Sequence, residues 1–230
     1  MKQLQFGQLL EELLQGYEER KREHRHLLVC ISGIDASGKS TLAYRLQASL
    51  QERGAAVLPV SGDDFFFKRE VRYRNPDPAL GYYRESCDYG KLFGELLLPL
   101  KGGGAVRKTL TLVDWESNEY REAVYAVTEP AIILVEGVFL LRRDLPDVFD
   151  YKVWVHATFL AGVKRACSRE RDLQYYGSAK AIRERYLKRL YRGQLLHLKQ
   201  DYPWERCQGI VFTQQRLDRQ EEQAGCCCPL

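Results

Sequence analysis

One short segment constrains the fold of this chain more than any other, because it matches the pattern G-x-x-x-x-G-K-[ST] between Gly33 and Thr41. Glycines let backbone N–H groups turn inward around phosphate oxygens, and a following helix adds the positive end of its dipole. The segment follows an apolar run at 26–32 and precedes a helical pattern at 40–51, which is the context that the pattern requires. The predicted nucleotide-binding residues are Gly33, Asp35, Ala36, Ser37, Gly38, Lys39, Ser40 and Thr41.

The end of this motif indicates which chemistry follows binding. We expect Lys39 to act as a catalytic cation on the outer phosphates, and the Ser40 hydroxyl to coordinate Mg²⁺. The guanine-reading segment N-K-x-D of GTPases and the signature L-S-G-G-Q of transporter ATPases do not occur in the sequence. The motif therefore favours a small kinase that uses ATP and Mg²⁺.

Apolar runs of strand length alternate with helical patterns along most of the chain. The runs lie at 26–32, 55–61, 131–136, 151–155 and 209–212, and the longer helical patterns at 91–100, 158–173 and 179–199. Two further strands, 106–113 and 120–127, flank a polar turn and predict a hairpin outside the main sheet. The mixed segment 62–90 has no clean period and is expected to be a loop or lid. This alternation predicts an α/β fold with a mainly parallel sheet.

The chain divides into three predicted parts. Residues 1–24 contain an amphipathic helix over about 3–22, residues 25–213 form the phosphate-loop kinase domain, and residues 214–230 form a polar tail that we expect to be disordered. The helix is indicated by an apolar stripe with spacings of three and four, made of Phe6, Leu9, Leu10, Leu13, Leu14 and Tyr17.

The composition limits which binding partners and which cellular compartment we expect. The chain has 35 basic and 31 acidic residues, and this small excess does not require a nucleic acid. No apolar run reaches the roughly 18 residues of a membrane span, and the first residues lack the features of a secretory signal. The cysteines at 30, 87, 167 and 207 have no metal-ligand spacing. We expect a cytoplasmic protein with no membrane or nucleic-acid partner, and a homo-oligomer stays open.

Acidic residues follow two of the predicted strands. Asp63 and Asp64 come after the second strand and Glu136 ends the third, where ligands of parallel sheets bind. Phosphoryl transfer to an alcohol needs one carboxylate that accepts the hydroxyl proton and others that help to hold Mg²⁺. We assign the base and substrate-binding role to Asp63, and the metal role to Glu136 with Ser40. The alternative for either aspartate is a helix or turn cap.

Basic residues are concentrated between 164 and 192. Arg165 and Arg169 are four positions apart, so on one helix they share a face from which both could reach one phosphate chain. We predict that they are catalytic residues of a lid. The alternative is a solvated basic face, which is our interpretation of the arginines from 183 onward.

With these residues in place, the chain resembles the uridine kinase family of phosphate-loop nucleoside kinases between Leu27 and Phe212. The resemblance implies a three-layer α/β/α phosphate-loop NTPase fold with a small lid, and transfer of the γ-phosphoryl group of ATP to a primary hydroxyl. It places the catalytic aspartate on Asp63, the metal-side acid on Glu136 and the lid arginines on Arg165 and Arg169. The segments that carry it are the phosphate loop, 62–67, 81–89, 134–137 and 165–172.

The identity of the acceptor alcohol is less constrained than the chemistry. Tyr83 and Asp88 are candidate substrate-binding residues, and a nucleoside such as uridine is the first choice. The segment 113–118, however, has neither the Tyr nor the His that hold the pyrimidine in uridine-cytidine kinases. Pantothenate or a sugar as acceptor, or a nucleotide-binding regulator without kinase activity, are the alternatives. Arg72 and Arg74 are expected either to bind an anionic substrate or to be solvated.

Overall fold

A parallel sheet of six strands runs through the computed structural model, which describes residues 2–213. The strands of the described residues are β1 (Lys2–Gln3), β2 (Leu27–Gly33), β3 (Val57–Ser61), β4 (Val106–Val113), β5 (Tyr120–Val127), β6 (Ile132–Gly137), β7 (Tyr151–His156) and β8 (Gly209–Phe212). The sheet order is β1-β8-β7-β2-β6-β3, and β4 and β5 form a separate antiparallel hairpin, as the sequence predicted. The central strand β2 is buried over its whole length, as a parallel strand covered on both faces should be.

Helices connect these strands. Two π-helical stretches, Gly90–Leu97 and Tyr186–Leu190, continue directly into the α-helices that begin at Leu98 and Tyr191, and 3₁₀ turns occupy Gly62–Phe65 and Pro203–Arg206. The α-helices of the described residues are α1 (Phe6–Arg22), α2 (Lys39–Glu52), α3 (Arg69–Arg72), α4 (Pro78–Glu85), α5 (Leu98–Lys101), α6 (Phe159–Ser168), α7 (Glu170–Tyr176), α8 (Ala179–Arg185) and α9 (Tyr191–Asp201).

The sheet is covered by helices on both faces. Alternate side chains of β2 point to opposite faces, so Leu28 and Cys30 join one buried cluster while Val29 and Ile31 join the other. The second cluster contains apolar side chains of α1 and α2, and the first contains those of the stretch 90–100 and the hairpin. This arrangement confirms the expected three-layer α/β/α fold with a mainly parallel sheet.

The segment 62–90 is more ordered than the loop that we predicted. It contains α3 and α4, which are too short for a helical period to be visible in the sequence. The side chain of Asp77 accepts hydrogen bonds from the backbone N–H groups of Ala79 and Leu80, and Pro78 occupies the first helical position, so local capping starts α4.

Two predicted helix boundaries are also corrected. The first helix begins at Phe6, because Lys2–Gln3 instead pairs with β8 as an edge strand. The predicted helix over 158–173 is interrupted at Arg169, whose backbone is extended with φ −77° and ψ 124°. A new helix, α7, starts at the next residue.

The remaining sequence predictions concern the chain as a whole. No helix within residues 2–213 combines the length and the apolar character that crossing a bilayer demands. The cysteines at 30, 87, 167 and 207 are free thiols. The predicted tail, 214–230, lies outside the described residues.

Candidate active site

Three strand ends meet at one edge of the sheet. β6 lies between β2 and β3, and its register places Glu136 beside Ile31 on one side and Ser61 on the other. Because all three strands are parallel, the loop after β2, the turn after β3 and the end of β6 share this edge. After β2, the chain adds β3 and β6 on one side of this strand and β7 and β8 on the other. Ligands of open α/β sheets bind at such a switch point.

The loop between Gly33 and Lys39 has the shape that phosphate binding requires. Ala36 and Gly38 both have positive φ, 55° and 101°, and Gly38 precedes the first turn of α2, which contains Lys39, Ser40 and Thr41. The Ser37 hydroxyl is buried and has no hydrogen-bond partner within residues 2–213. The buried Lys39 ammonium donates to the Ile34 carbonyl at 2.9 Å, so its charge stays inside the loop.

Glu136 connects the phosphate loop to the neighbouring strand. Its two carboxylate oxygens accept hydrogen bonds from Ser40 Oγ at 3.2 Å and from Ser61 Oγ at 3.0 Å. Burial, and then the nearby charge of Asp63, raises the pKa of Glu136, while Lys39 and the two serines oppose this shift. Ser40 and Glu136 together present hard oxygen atoms of the kind that Mg²⁺ binds, usually with few protein ligands and with substrate phosphates.

Asp35 is held by two residues that sequence reasoning missed. Its Oδ2 accepts a hydrogen bond from Tyr82 Oη at 2.7 Å and another from the side-chain amide of Gln194. Burial raises the pKa of Asp35, and the charge of Lys39 offsets part of this effect. The loop is therefore tied to α4 and α9, which are distant in the sequence and carry no motif that would have indicated this contact.

The two aspartates after β3 face different surroundings. Asp63 lines a cavity of about 140 Å³ together with Lys39, Ser40 and Glu136. Asp64 instead accepts a hydrogen bond from the Arg121 guanidinium of the hairpin at 2.6 Å. Of this pair, the geometry brings Asp63 to the phosphate loop.

The lid arginines are arranged differently from our prediction. α6 ends at Ser168, so Arg165 and Arg169 do not share one continuous helical face. Arg165 donates to the Ala36 carbonyl at 2.9 Å and to Thr213 Oγ1 at 3.2 Å, which binds α6 to the phosphate loop. Arg169 lines the cavity together with Arg171, on the chain that turns from α6 into α7.

The cavity is also lined by arginines for which the sequence predicted a solvated surface. Arg185 and Arg189 line this cavity. Their spacing of four residues was the only sign in the sequence that they share a helical face. Arg72 also lines the cavity and is buried, whereas Arg74 is exposed and pairs with Glu85 at 3.2 Å. The cavity is therefore far more basic than the motif analysis indicated.

The structure does not bring Tyr83 and Asp88 to the cavity wall. Tyr83 Oη donates to Asp201 Oδ2 at 2.6 Å, and the His197 imidazole contacts the same oxygen. Asp88 accepts a hydrogen bond from the Lys91 backbone N–H at 2.9 Å and so helps to start the π-helical stretch. Both predicted substrate-binding side chains are engaged in the fold.

The chain is similar in fold to several solved structures. No family model matches the chain, and no curated protein matches it. Among solved structures, one described as a possible uridine kinase from Bacillus stearothermophilus superposes with a TM-score of 0.66 at 22% identity, over 87% of this chain and 99% of that one.

Two other solved structures also superpose on this chain. A fructose transport system kinase from Silicibacter sp. TM1040 gives a TM-score of 0.63 at 23% identity, over 88% of this chain and 98% of that one. Phosphoribulokinase from Rhodobacter spheroides gives 0.56 at 14% identity, over 80% and 68%. The described chain therefore shares its three-layer α/β/α fold with these three solved structures.

Proposed function

We propose that this chain is a Mg²⁺-dependent kinase that transfers the γ-phosphoryl group of ATP to a hydroxyl of a small molecule. The observation that carries the proposal is one cavity lined by the phosphate loop, by Asp63 and by the Ser40–Glu136 pair. These are the three kinds of group that phosphoryl transfer to an alcohol needs: a phosphate cradle, a proton acceptor and a metal site.

The nucleotide end of the cavity is formed by the phosphate loop. The Ser37 hydroxyl, which has no hydrogen-bond partner within residues 2–213, and the N-terminus of α2 suit the phosphate oxygens of ATP. When phosphates are bound, Lys39 exchanges its bond to the Ile34 carbonyl for bonds to the outer phosphates. Its buried position holds this charge in place.

Ser40 and Glu136 are the residues that would hold Mg²⁺. When bound, the ion neutralises charge on the phosphate oxygens. Ser61 contributes indirectly, because its bond to Glu136 fixes the orientation of the carboxylate. The raised pKa of Glu136 fits this role, since a buried carboxylate gains most from a nearby cation.

Asp63 is the proposed base. It accepts the proton of the substrate hydroxyl while that oxygen bonds to the γ-phosphorus, and the bond from the γ-phosphorus to the bridging oxygen of ADP breaks. Arg169 lines the same cavity and is the lid cation placed to stabilise charge during transfer. Arg165 acts through its contact with Ala36 by positioning the loop.

The test is turnover of MgATP to ADP across a panel of acceptors. Uridine, cytidine, nicotinamide riboside, pantothenate and simple sugars are compared, with Asp63→Asn as the blank and Asp64→Asn as the neighbouring control. Acceptor-dependent release of ADP by the wild type, absent in Asp63→Asn, is the expected result. Tight ATP binding without stimulation by any alcohol would contradict it and favour a nucleotide-binding regulator.

The sequence resemblance favours a nucleoside as the acceptor, with pantothenate or a sugar as the alternative. A cytoplasmic location, the absence of a nucleic-acid partner and a homo-oligomeric state stay predictions from the sequence.

A further inference from the structure

Three guanidinium groups surround one tyrosine ring in the cavity wall. The guanidinium carbons of Arg189, Arg185 and Arg72 lie 4.4, 5.1 and 5.7 Å from the centroid of Tyr73. All four residues line the same cavity as Asp63. We call this group the arginine cluster, meaning Arg72, Arg185 and Arg189 around Tyr73.

Two of these cations are buried. Arg72 is 8% exposed and Arg189 is 5% exposed. Arg189 donates to the carbonyls of Pro78 and Arg72 and to Ser86 Oγ. Within residues 2–213, none of the three arginines forms an ion pair with a carboxylate. Buried charges are normally paired, because removing an ion from water is costly.

The cluster also has more hydrogen-bond donors than acceptors. Within the described residues, buried nitrogen atoms without a hydrogen-bond partner include Nε and Nη2 of Arg72 and Nε of both Arg185 and Arg189. Tyr73 accepts a hydrogen bond from Arg185. Although burial alone would raise the pKa of Tyr73, the charges of Arg185, Arg72 and Arg189 outweigh it and lower that pKa. A bound anion would satisfy both the positive charge and the free donors.

The cluster contacts residues that lie next to Asp63 and Asp35. The Arg72 guanidinium is 5.3 Å from the ring of Phe66, which directly follows the turn that contains Asp63. The Arg189 guanidinium is 5.3 Å from the ring of Tyr82, whose hydroxyl bonds to Asp35. Lys39 already supplies the cation of the phosphate loop. The donors of the cluster are therefore available to the molecule that presents its hydroxyl to Asp63.

We infer that the acceptor alcohol carries an anionic group, a phosphate or a carboxylate, which the arginine cluster binds. This inference rests on the proposed kinase function and replaces a neutral nucleoside with a charged alcohol as the substrate class. Arg72 presents two neighbouring free donors, Nε and Nη2, which match two oxygens of a phosphate or carboxylate, and Arg185 adds its free Nε. Binding the anion at a fixed distance from Asp63 would also orient the hydroxyl for transfer.

The test compares acceptors that differ by one anionic group. ADP release is measured with ribose against ribose 5-phosphate and with glycerol against glycerate, and uridine is included as a neutral nucleoside. We expect kcat/KM for a charged acceptor to exceed that of its neutral counterpart at least tenfold. The two pairs distinguish a phosphate from a carboxylate. A preference for uridine or for the neutral member of both pairs would overturn the inference and leave the kinase function intact.

Variants of the cluster add a second measurement. We expect Arg72→Gln to raise KM for the charged acceptor at least tenfold and to change KM for ATP less than twofold. Arg185→Gln is the second variant, because Arg185 is less buried, and Arg74→Gln is the matched surface control. Thermal unfolding confirms that each variant is folded. A rise in KM for ATP alone would assign the cluster to the nucleotide and overturn the inference.

Direct binding separates this inference from the proposed function. Calorimetric titration of ribose 5-phosphate and of glycerate is performed on the whole chain saturated with a non-hydrolysable ATP analogue. Binding that Arg72→Gln weakens tenfold supports the anion site even if no acceptor is turned over. Failure of both anions to bind would overturn the inference, whatever the turnover assay shows.

Discussion

No side chain fits between Gly33 and Val155. A Cβ atom at Gly33 would lie 2.5 Å from the Val155 carbonyl oxygen and 2.8 Å from Ser37 Oγ. The first glycine of the phosphate loop is therefore required for packing against β7 as well as for the turn, which links the loop to the interior of the sheet.

Gly33→Ala should for this reason lower the free energy of unfolding by about 1–3 kcal/mol, the usual cost of overpacking a rigid site. Gly7→Ala is the control, because a Cβ there meets no atom within 4 Å. It lies in α1, where alanine is the better helix former, so we expect no loss of stability. Chemical denaturation of both variants makes the comparison, and equal stability would contradict the close approach.

Replacement of Asp63 should affect catalysis far more than replacement of Asp64. We expect Asp63→Asn to lower kcat by on the order of a hundredfold or more, because an amide cannot accept the hydroxyl proton. Asp64→Asn, which only removes the negative charge that faces Arg121 outside the cavity wall, should stay within a few-fold of the wild type. Steady-state assays decide between them, and a loss below threefold in Asp63→Asn would remove the base assignment.

Replacement of Glu136 should separate stability from metal use. Burial raises the pKa of its carboxyl group, so the charged form is costly in the fold, and Glu136→Gln should unfold at the same temperature or a higher one. The same variant should need on the order of tenfold more Mg²⁺ for half-maximal activity. Calorimetry and a Mg²⁺ titration measure these two effects. An unchanged Mg²⁺ requirement would exclude Glu136 from the metal site.

Tyr83 offers a test of a substrate role against a structural one. Tyr83→Phe removes the hydrogen bond to the buried Asp201 and should lower the free energy of unfolding by about 1–2 kcal/mol. Because the side chain does not line the cavity, KM for the acceptor should stay within twofold. A large rise in KM without a loss of stability would restore the original prediction for Tyr83.

The buried pair of His197 and Asp201 should make the fold sensitive to acid. Burial lowers the pKa of His197, so below about pH 6.5 the unfolded chain takes up a proton that the folded chain does not. The pKa of Asp201 is also lowered, because its bonds to His197 and Tyr83 outweigh burial, so stability falls further at more acidic pH. The free energy of unfolding should therefore decrease from about pH 6.5 downward. In His197→Gln, the part of this decrease between about pH 5 and 6.5 should be absent.

The sequence predicted the sheet and the position of the loop between β2 and α2 well, because both depend on local patterns. The apolar runs identified β2, β6 and β7 closely, and the G-x-x-x-x-G-K-[ST] motif located the loop and the first turn of α2. Strand ends then placed Asp63 and Glu136 at one edge, since parallel strands share a direction.

The arginine cluster could not be predicted in the same way. Arg72 and Arg189 are 117 residues apart, and the hydrogen bond between them forms only after α3 and the π-helical stretch pack together. Neither belongs to a spaced motif, and a run of basic residues usually indicates a solvated face. The interruption at Arg169 was also invisible, because the apolar pattern continues through it.

The position of β1 has a consequence for synthesis of the chain. Lys2 and Gln3 precede every other described strand in the sequence, yet their partner in the sheet is β8, at Gly209–Phe212. β1 therefore cannot pair until β8, more than two hundred residues later in the sequence, has been translated. Such pairing is slow to form, because the whole intervening chain must first be ordered. Within residues 2–213, the strand that comes last in the sequence thus pairs with the one that comes first, and this edge of the sheet closes after β2, β3 and β6 have been made.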